Sequence, residues 1–193
     1  MPREGKAKVL SQEELRRVIK MQGGKFLELR NVALIALSYY CGFRAKELAS
    51  LSLGDVLTSQ RDLKEEVNLK RHQTKGGKKR VAYLVNEKLR LALLTYLKTR
   101  PVDALERPLF KSQKGGAFSP NSLQRVLALL YKEAGIEGAS SHSGRRTFAT
   151  NLLNQGANIK EVQVLMGHAN IQTTAIYVQE DPERLSSLLK RLR

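Results

Sequence analysis

Apolar residues recur along this chain mostly at three- and four-residue intervals, and the interruptions fall on capping residues, glycines and prolines, a pattern that predicts a succession of helices. Ser11 and Glu14 stand in capping-box spacing between Leu10 and Leu15, the two positions of a hydrophobic staple, so a helix is predicted over residues 12 to 21. A second runs from about Phe26 through "LELRNVALIALSYYC" and stops at Gly42, which can adopt the left-handed conformation of a helix end. It is apolar on most sides and therefore central. In "RAKELASLSL" a short helix begins near Arg44, with Leu48 and Leu51 one turn apart and Arg44 and Glu47 on a shared face.

Period-two character is confined to "EEVNLKRHQ" and "RVAYLV", separated by "TKGGKK", which predicts a β-hairpin with Lys75 at or near its tip. Helices follow from Glu87 to Arg100 behind Asn86, from Ser119 and Pro120 to Gly135, from about His142 to Gly156, and from the Asn158/Glu161 cap to Gly167. Asp181 and Pro182 start a last helix, 182 to 192, with Leu185, Leu188, Leu189 and Leu192 in one stripe. The predicted fold is mainly α with a small antiparallel β-sheet, one domain over residues 1 to 193, without repeats or a long linker.

Charge changes the picture. A net charge of +16 exceeds what solubility needs and makes a polyanion, nucleic acid first, the expected partner. The best apolar run, "VALIALSYYCGF", is too short to span a bilayer, and the N-terminus lacks the apolar core of an export signal, so no membrane role and a cytoplasmic location are expected. The single cysteine, Cys41, rules out an internal disulfide and is expected as a buried small hydrophobe.

Four places gather polar groups at helix ends or tight turns: Arg44 after a glycine, Lys75 in the hairpin, His142 with Arg145, and His168 with Tyr177. Two arginines can fork onto phosphate oxygens and counter the extra charge of a pentacovalent transition state. No acidic residue occurs from Val67 to Asn86, and Glu161 is the only one from Gly138 to Tyr177, which leaves a two-metal carboxylate cluster without a source. The G-x-x-x-x-G-K-[ST] loop and the serine and cysteine nucleophile motifs are missing, so no cofactor is expected. A tyrosine is a weak nucleophile at neutral pH, and a strongly positive site favours its phenolate.

"GFRAKEL", "TKGGKKR", "HSGRR" and "MGHANIQTTAIY" together resemble, in order and separation, the signature boxes of the tyrosine recombinase or phage integrase family, over nearly the whole chain. The resemblance implies the catalytic-domain fold of that family and a site-specific DNA recombinase that cuts and reseals through a 3′-phosphotyrosine, without metal or ATP. It makes Arg44 and Arg145 the phosphate clamps, Lys75 the general acid for the leaving 5′ hydroxyl, and His142 the acid/base partner of the nucleophile. His168 becomes a phosphate hydrogen-bond donor, Tyr177 the nucleophile and Glu47 a brace near Arg44. Double-stranded DNA with recombination sites, a dimer per site, a tetramer in synapsis, accessory DNA-bending proteins and exchange of the 182 to 192 helix between protomers are implied likewise. Lys70, Arg71, Lys78, Lys79, Arg80 and Arg146 are candidate DNA contacts.

Two departures stand out. Gly144 and Arg146 flank Arg145 where many relatives have leucine and histidine, and the chain begins where the catalytic domain of most relatives begins, as a fragment or a short recombinase would. Singly, each residue has an ordinary explanation: Arg44 a surface ion pair, Lys75 one charge of a solvated hairpin, the histidines helix-end residues, Tyr177 a core aromatic, His72 a strand residue. Their joint occurrence gives them weight. The rival readings are a topoisomerase-like nicking and sealing enzyme and a non-catalytic DNA-binding regulator on the same fold.

Overall fold

A computed structural model describes residues 7–74, 77, 79–101 and 104–178. The helix predicted over 182 to 192, and with it the exchange between protomers, lies outside the described residues, as do Lys75 and Lys78.

Among the described residues the order is α1 (Gln12–Lys20), α2 (Glu28–Cys41), α3 (Ala45–Ser50), α4 (Leu53–Val56), β1 (Glu66–Leu69), β2 (Arg80–Tyr83), α5 (Glu87–Leu97), α6 (Pro120–Glu133), α7 (Ser143–Asn154), α8 (Ile159–Met166) and α9 (Gln172–Ala175). The capping signals do what their chemistry predicts. Ser11 Oγ accepts from the Glu14 amide at 3.1 Å and Glu14 returns the bond to the Ser11 amide at 3.0 Å. Asn86, Ser119 and Asn158 cap α5, α6 and α8 in the same manner.

Helix α2 is the axle. Leu34, Ile35 and Leu37 are fully buried, and its length packs against α5 and α7. Contact with α7 requires Gly144: a Cβ there would lie 2.5 Å from Ser38 Oγ on α2. The residue that departs from the family pattern is thus the one that lets the two helices close, and it brings the first turn of α7 against α2.

β1 and β2 pair antiparallel from Glu66↔Tyr83 to Leu69↔Arg80. The first strand is shorter than the alternation predicts, because Gln73 folds back and ends it. Its Oε1 accepts from the Lys70 amide at 2.8 Å, while Nε2 donates to Ser50 C=O at 3.1 Å and Asp55 Oδ2 at 2.9 Å. His72 therefore sits exposed in a turn and not on a strand. Two short helices were not anticipated. α4 starts behind Ser52, whose amide donates to Asp55 Oδ2 at 2.8 Å, and α9 starts behind Asn170, which accepts from the Gln172 amide at 2.9 Å.

The apolar interior falls into two clusters. The large one contains Leu34, Phe43, Leu48, Leu89, Leu123 and Tyr131 among many others. The small one consists of buried Ala149, Leu153, Val162 and Met166, with Phe148, Leu152, Ala157 and Tyr177 packed on it. Cys41 is buried as expected; its thiol donates to Tyr83 C=O at 3.0 Å, and burial pushes it up to about 12.

Candidate active site

Helices α2 and α8 both stop on left-handed glycines, Gly42 at φ 61° and Gly167 at φ 60°, and these stops build the site. Glycine is required at each: a Cβ on Gly42 would lie 2.5 Å from the Phe148 ring, and one on Gly167 would lie 2.7 Å from Arg80 Cδ. The carbonyls left open at both helix ends are taken up by Arg145, in the first turn of α7. Its Nη1 donates to Gly42 C=O, and its Nη2 donates to Met166 C=O at 2.6 Å and contacts His168 Nε2 at 3.0 Å. The negative ends of two helices thus offset the burial of a guanidinium that is only 3% exposed. Burial first, then Arg44 and Arg80 nearby, pushes Arg145 down to about 9. Three of its five N–H groups are engaged by the described residues.

Glu47, fully buried on α3, is the counter-charge. It accepts from the Arg44 amide at 2.9 Å, from Arg44 Nη1 at 2.8 Å, and from Arg80 Nη2 at 3.0 Å. Arg44 keeps a fifth of its side chain exposed. Three guanidiniums against one carboxylate leave this cluster with excess positive charge, which suits a phosphate group.

His168 is held on both sides. Arginine cannot accept, so the contact with Arg145 makes Nε2 the acceptor, and Nδ1 then carries the proton and donates to Thr174 Oγ1 at 2.8 Å. The neutral ring this demands agrees with its environment: burial, then Arg145, Arg44 and Arg80, pushes His168 down to about 4, with Glu47 opposing. In this arrangement the Nδ1 proton faces Thr174 Oγ1 and Nε2 faces Arg145. Tyr177, one turn beyond α9, stacks on the imidazole with centroids 6.0 Å apart and planes 19° apart.

Arg44, Glu47, Arg145, His168 and Tyr177 are therefore brought together as the sequence suggested. His142 lies at the N-terminal boundary of α7, exposed, with Nδ1 3.2 Å from Ser141 Oγ. Lys70, Arg71 and Lys79 are exposed on the hairpin side. Arg80 is not a surface cation: 5% exposed, it turns inward to Glu47 and to Leu165 C=O, which corrects its placement among the DNA contacts. Arg146 is half-buried, with its Nε buried and without a partner. Sequence reasoning missed Arg80 as a brace, Thr174 as the histidine's acceptor and Gln73 as the clamp of the hairpin turn. No local signal marked Arg80: in "RVAYLV" Val81, Tyr83 and Val85 share the opposite phase, and its partner Glu47 lies 33 positions earlier.

A mainly helical domain with a small antiparallel sheet, and a cluster of three arginines around one buried glutamate with a histidine and a tyrosine beside it, is the class that fold and site define. The description of the phage integrase family matches residues 8–184, and the chain belongs to that family. The tyrosine recombinase XerC of Brucella suis is 32% identical over 192 residues, covering 95% of this chain and 59% of the relative. The XerC of Pseudomonas fluorescens is 38% identical over 168 residues, covering 84% and 52%. This chain spans a little over half the length of the curated relatives it matches. Among solved structures, XerA recombinase superimposes with a TM-score of 0.75 at 28% identity, over 98% of this chain and 67% of that one. The XerH site-specific recombinase bound to its difH substrate in a pre-cleavage complex gives 0.69 at 25% identity, over 95% and 53%. Among the described residues no helix is long and apolar enough to cross a membrane, and no group of three or more His, Cys, Asp or Glu is arranged to hold a metal ion.

Proposed function

We propose that this chain is the catalytic domain of a site-specific DNA recombinase that cuts and reseals duplex DNA through Tyr177. The observation that carries the reading is the stack of Tyr177 on a histidine that is itself bonded to the buried Arg145, beside the Arg44–Glu47 pair. A phosphodiester seated on Arg44 and Arg145 lies next to the phenol. The phenol oxygen attacks phosphorus, the bond to the 5′ oxygen breaks, and the product is a 3′-phosphotyrosine with a free 5′ hydroxyl. The guanidiniums hold the extra negative charge of the pentacovalent state. In this reading Lys75 supplies the proton to the leaving oxygen and His142 accepts the phenol's proton, the roles that the family resemblance gives them. His168 and Thr174 support the ring against which the tyrosine rests.

The covalent bond conserves the energy of the phosphodiester, so resealing needs no nucleotide. Support for DNA as the partner comes from the similarity to tyrosine recombinases and to the XerH recombinase, solved in pre- and post-cleavage complexes with difH substrates. Two protomers per site, four in a synapse, DNA-bending helpers and a bacterial cytoplasmic setting belong to the same proposal.

The test is covalent trapping. The chain is incubated with nicked duplexes from the DNA flanking its own gene, with chelator and without ATP, then denatured in detergent. A protein band that carries 3′-linked DNA, and that is lost in Tyr177→Phe, is the expected result. Binding without an adduct in either protein favours the non-catalytic regulator.

A further inference from the structure

We propose that Arg80 is a positioning residue for strand cleavage, the single side chain that fixes Glu47, and through it Arg44, to the end of α8 that carries His168 and the Met166 carbonyl used by Arg145. The proposal rests on the reading of Tyr177 as nucleophile.

Three elements meet at this guanidinium. It begins β2, next to the exposed Lys79; its Nη2 reaches Glu47 Oε2 on α3 at 3.0 Å, and its Nη1 donates to Leu165 C=O on α8. The stem is locked as well. Its guanidinium carbon lies 5.2 Å from the Phe43 ring centroid, and Gly167 leaves no room for a Cβ beside Arg80 Cδ. With 2% of its side chain exposed, Arg80 cannot serve as a phosphate contact from where it sits.

Stability alone does not explain a charge in this place. Burial lowers Arg80's affinity for its proton, Glu47 only partly opposing, and its Nε is buried without a partner. Apolar residues of similar volume commonly serve a protein interior as well as or better than a buried ion pair. What the guanidinium supplies is a fork with two fixed directions, one toward the carboxylate and one toward the helix end, plus half of the charge balance on Glu47. Without it, Oε2 loses a partner and the whole carboxylate acts on Arg44, drawing that fork back from the phosphate.

The experiment compares Arg80→Met, Arg80→Lys and the double variant Arg80→Met/Glu47→Gln in the full chain, each checked for cooperative unfolding. Cleavage of the nicked duplexes and DNA affinity are measured separately. Expected are about a 100-fold slower cleavage for Arg80→Met, the scale on which a small misplacement of reacting groups acts, with DNA affinity within about threefold of wild type. Arg80→Lys, which keeps the charge but not the fork, falls between. The double variant recovers about tenfold over Arg80→Met, because the unbalanced carboxylate is gone; a purely structural role would give no such rescue.

A folded Arg80→Met that cleaves like wild type overturns the proposal, as does a double variant no faster than Arg80→Met. Should Arg80→Met not fold, Arg80→Lys decides: wild-type cleavage rejects the idea. If the wild-type chain itself forms no adduct, the reading of Tyr177 has failed, and the ¹⁵N signals of the His168 ring decide the placement separately. Signals unchanged in Arg80→Met or Arg80→Lys overturn the positioning role, whereas a shifted tautomer balance sustains it.

Discussion

The two hydrophobic clusters carry different halves of the site. Arg44 and Glu47 flank α3 residues of the large cluster, where Leu48 is fully buried and α2 is enclosed on several sides. Tyr177 rests on the small cluster, with four buried members among the described residues and half-exposed neighbours around them. Arg145 and Arg80 bridge the two by reaching from one to the carbonyls of α8. Under the proposed chemistry, the groups that would hold the anion sit in the part with the most burial, while the tyrosine that would attack phosphorus sits on the part with the least. Local opening free energy follows burial, so the tyrosine's support is expected to open first.

The sharpest way to break this comparison is Arg145→Ala. It leaves the Gly42 and Met166 carbonyls without their buried donor, so a destabilisation of about 2–4 kcal/mol in urea unfolding is expected. Adduct formation falls by about 10²–10³-fold or more. Next, Leu34→Ala in the large cluster is expected to lower global stability by about 3 kcal/mol. Val162→Ala in the small one should act mainly on hydrogen exchange in α8 and α9, leaving α2 amides close to their wild-type rates. Equal acceleration across α2 and α8 would merge the two regions into one cooperative unit.

A weaker effect comes from His168. Its proton affinity is depressed to about 4 in the fold from an ordinary value of 6.5, so the unfolded chain binds the extra proton first as pH falls. The stability linked to the neutral ring is complete above about pH 6.5 and is lost progressively toward pH 4. Because the ring is half-exposed, screening reduces the full value to about 1–2 kcal/mol. Thermal unfolding of wild type against His168→Gln over pH 4–7 measures it, and a flat difference would contradict the assigned tautomer. Smallest in the fold, yet visible on DNA, are Arg71→Gln and Lys79→Gln. Each exposed cation is expected to reduce the slope of log affinity against log salt by about 1, with no change in unfolding.

Much of this was legible in the sequence wherever a local rule decides the outcome. The capping boxes at Ser11 and Asn158 and the glycine stops at Gly42 and Gly167 depend on neighbours in the chain, and the helices appear where those signals stand. Long-range partners left no such trace. Nothing near Gln73 announces that its amide will find Asp55, eighteen positions earlier, and so the first strand was drawn too long. Arg80 was grouped with the solvated cations because a run of like charges conceals which member points inward, and its partner Glu47 lies 33 positions away. The two partners of His168, Arg145 and Thr174, left no local trace either, because they are fixed only by the meeting of α7, α8 and α9. Gly144 was noted as a departure from the family, but its reason lies on α2, at Ser38.

The leading segment of the chain is moored to α7. The Lys8 amide donates to Gly138 C=O at 3.0 Å, and the Leu10 amide donates to Thr147 Oγ1 at 2.8 Å, a hydroxyl that in turn donates to Ser143 C=O at 2.7 Å. Ser143 and Thr147 bracket Arg145 on the helix. A pull on Lys8 or Leu10 would therefore load the turn that carries Arg145, so this stretch is placed to act as a tether on the first turn of α7.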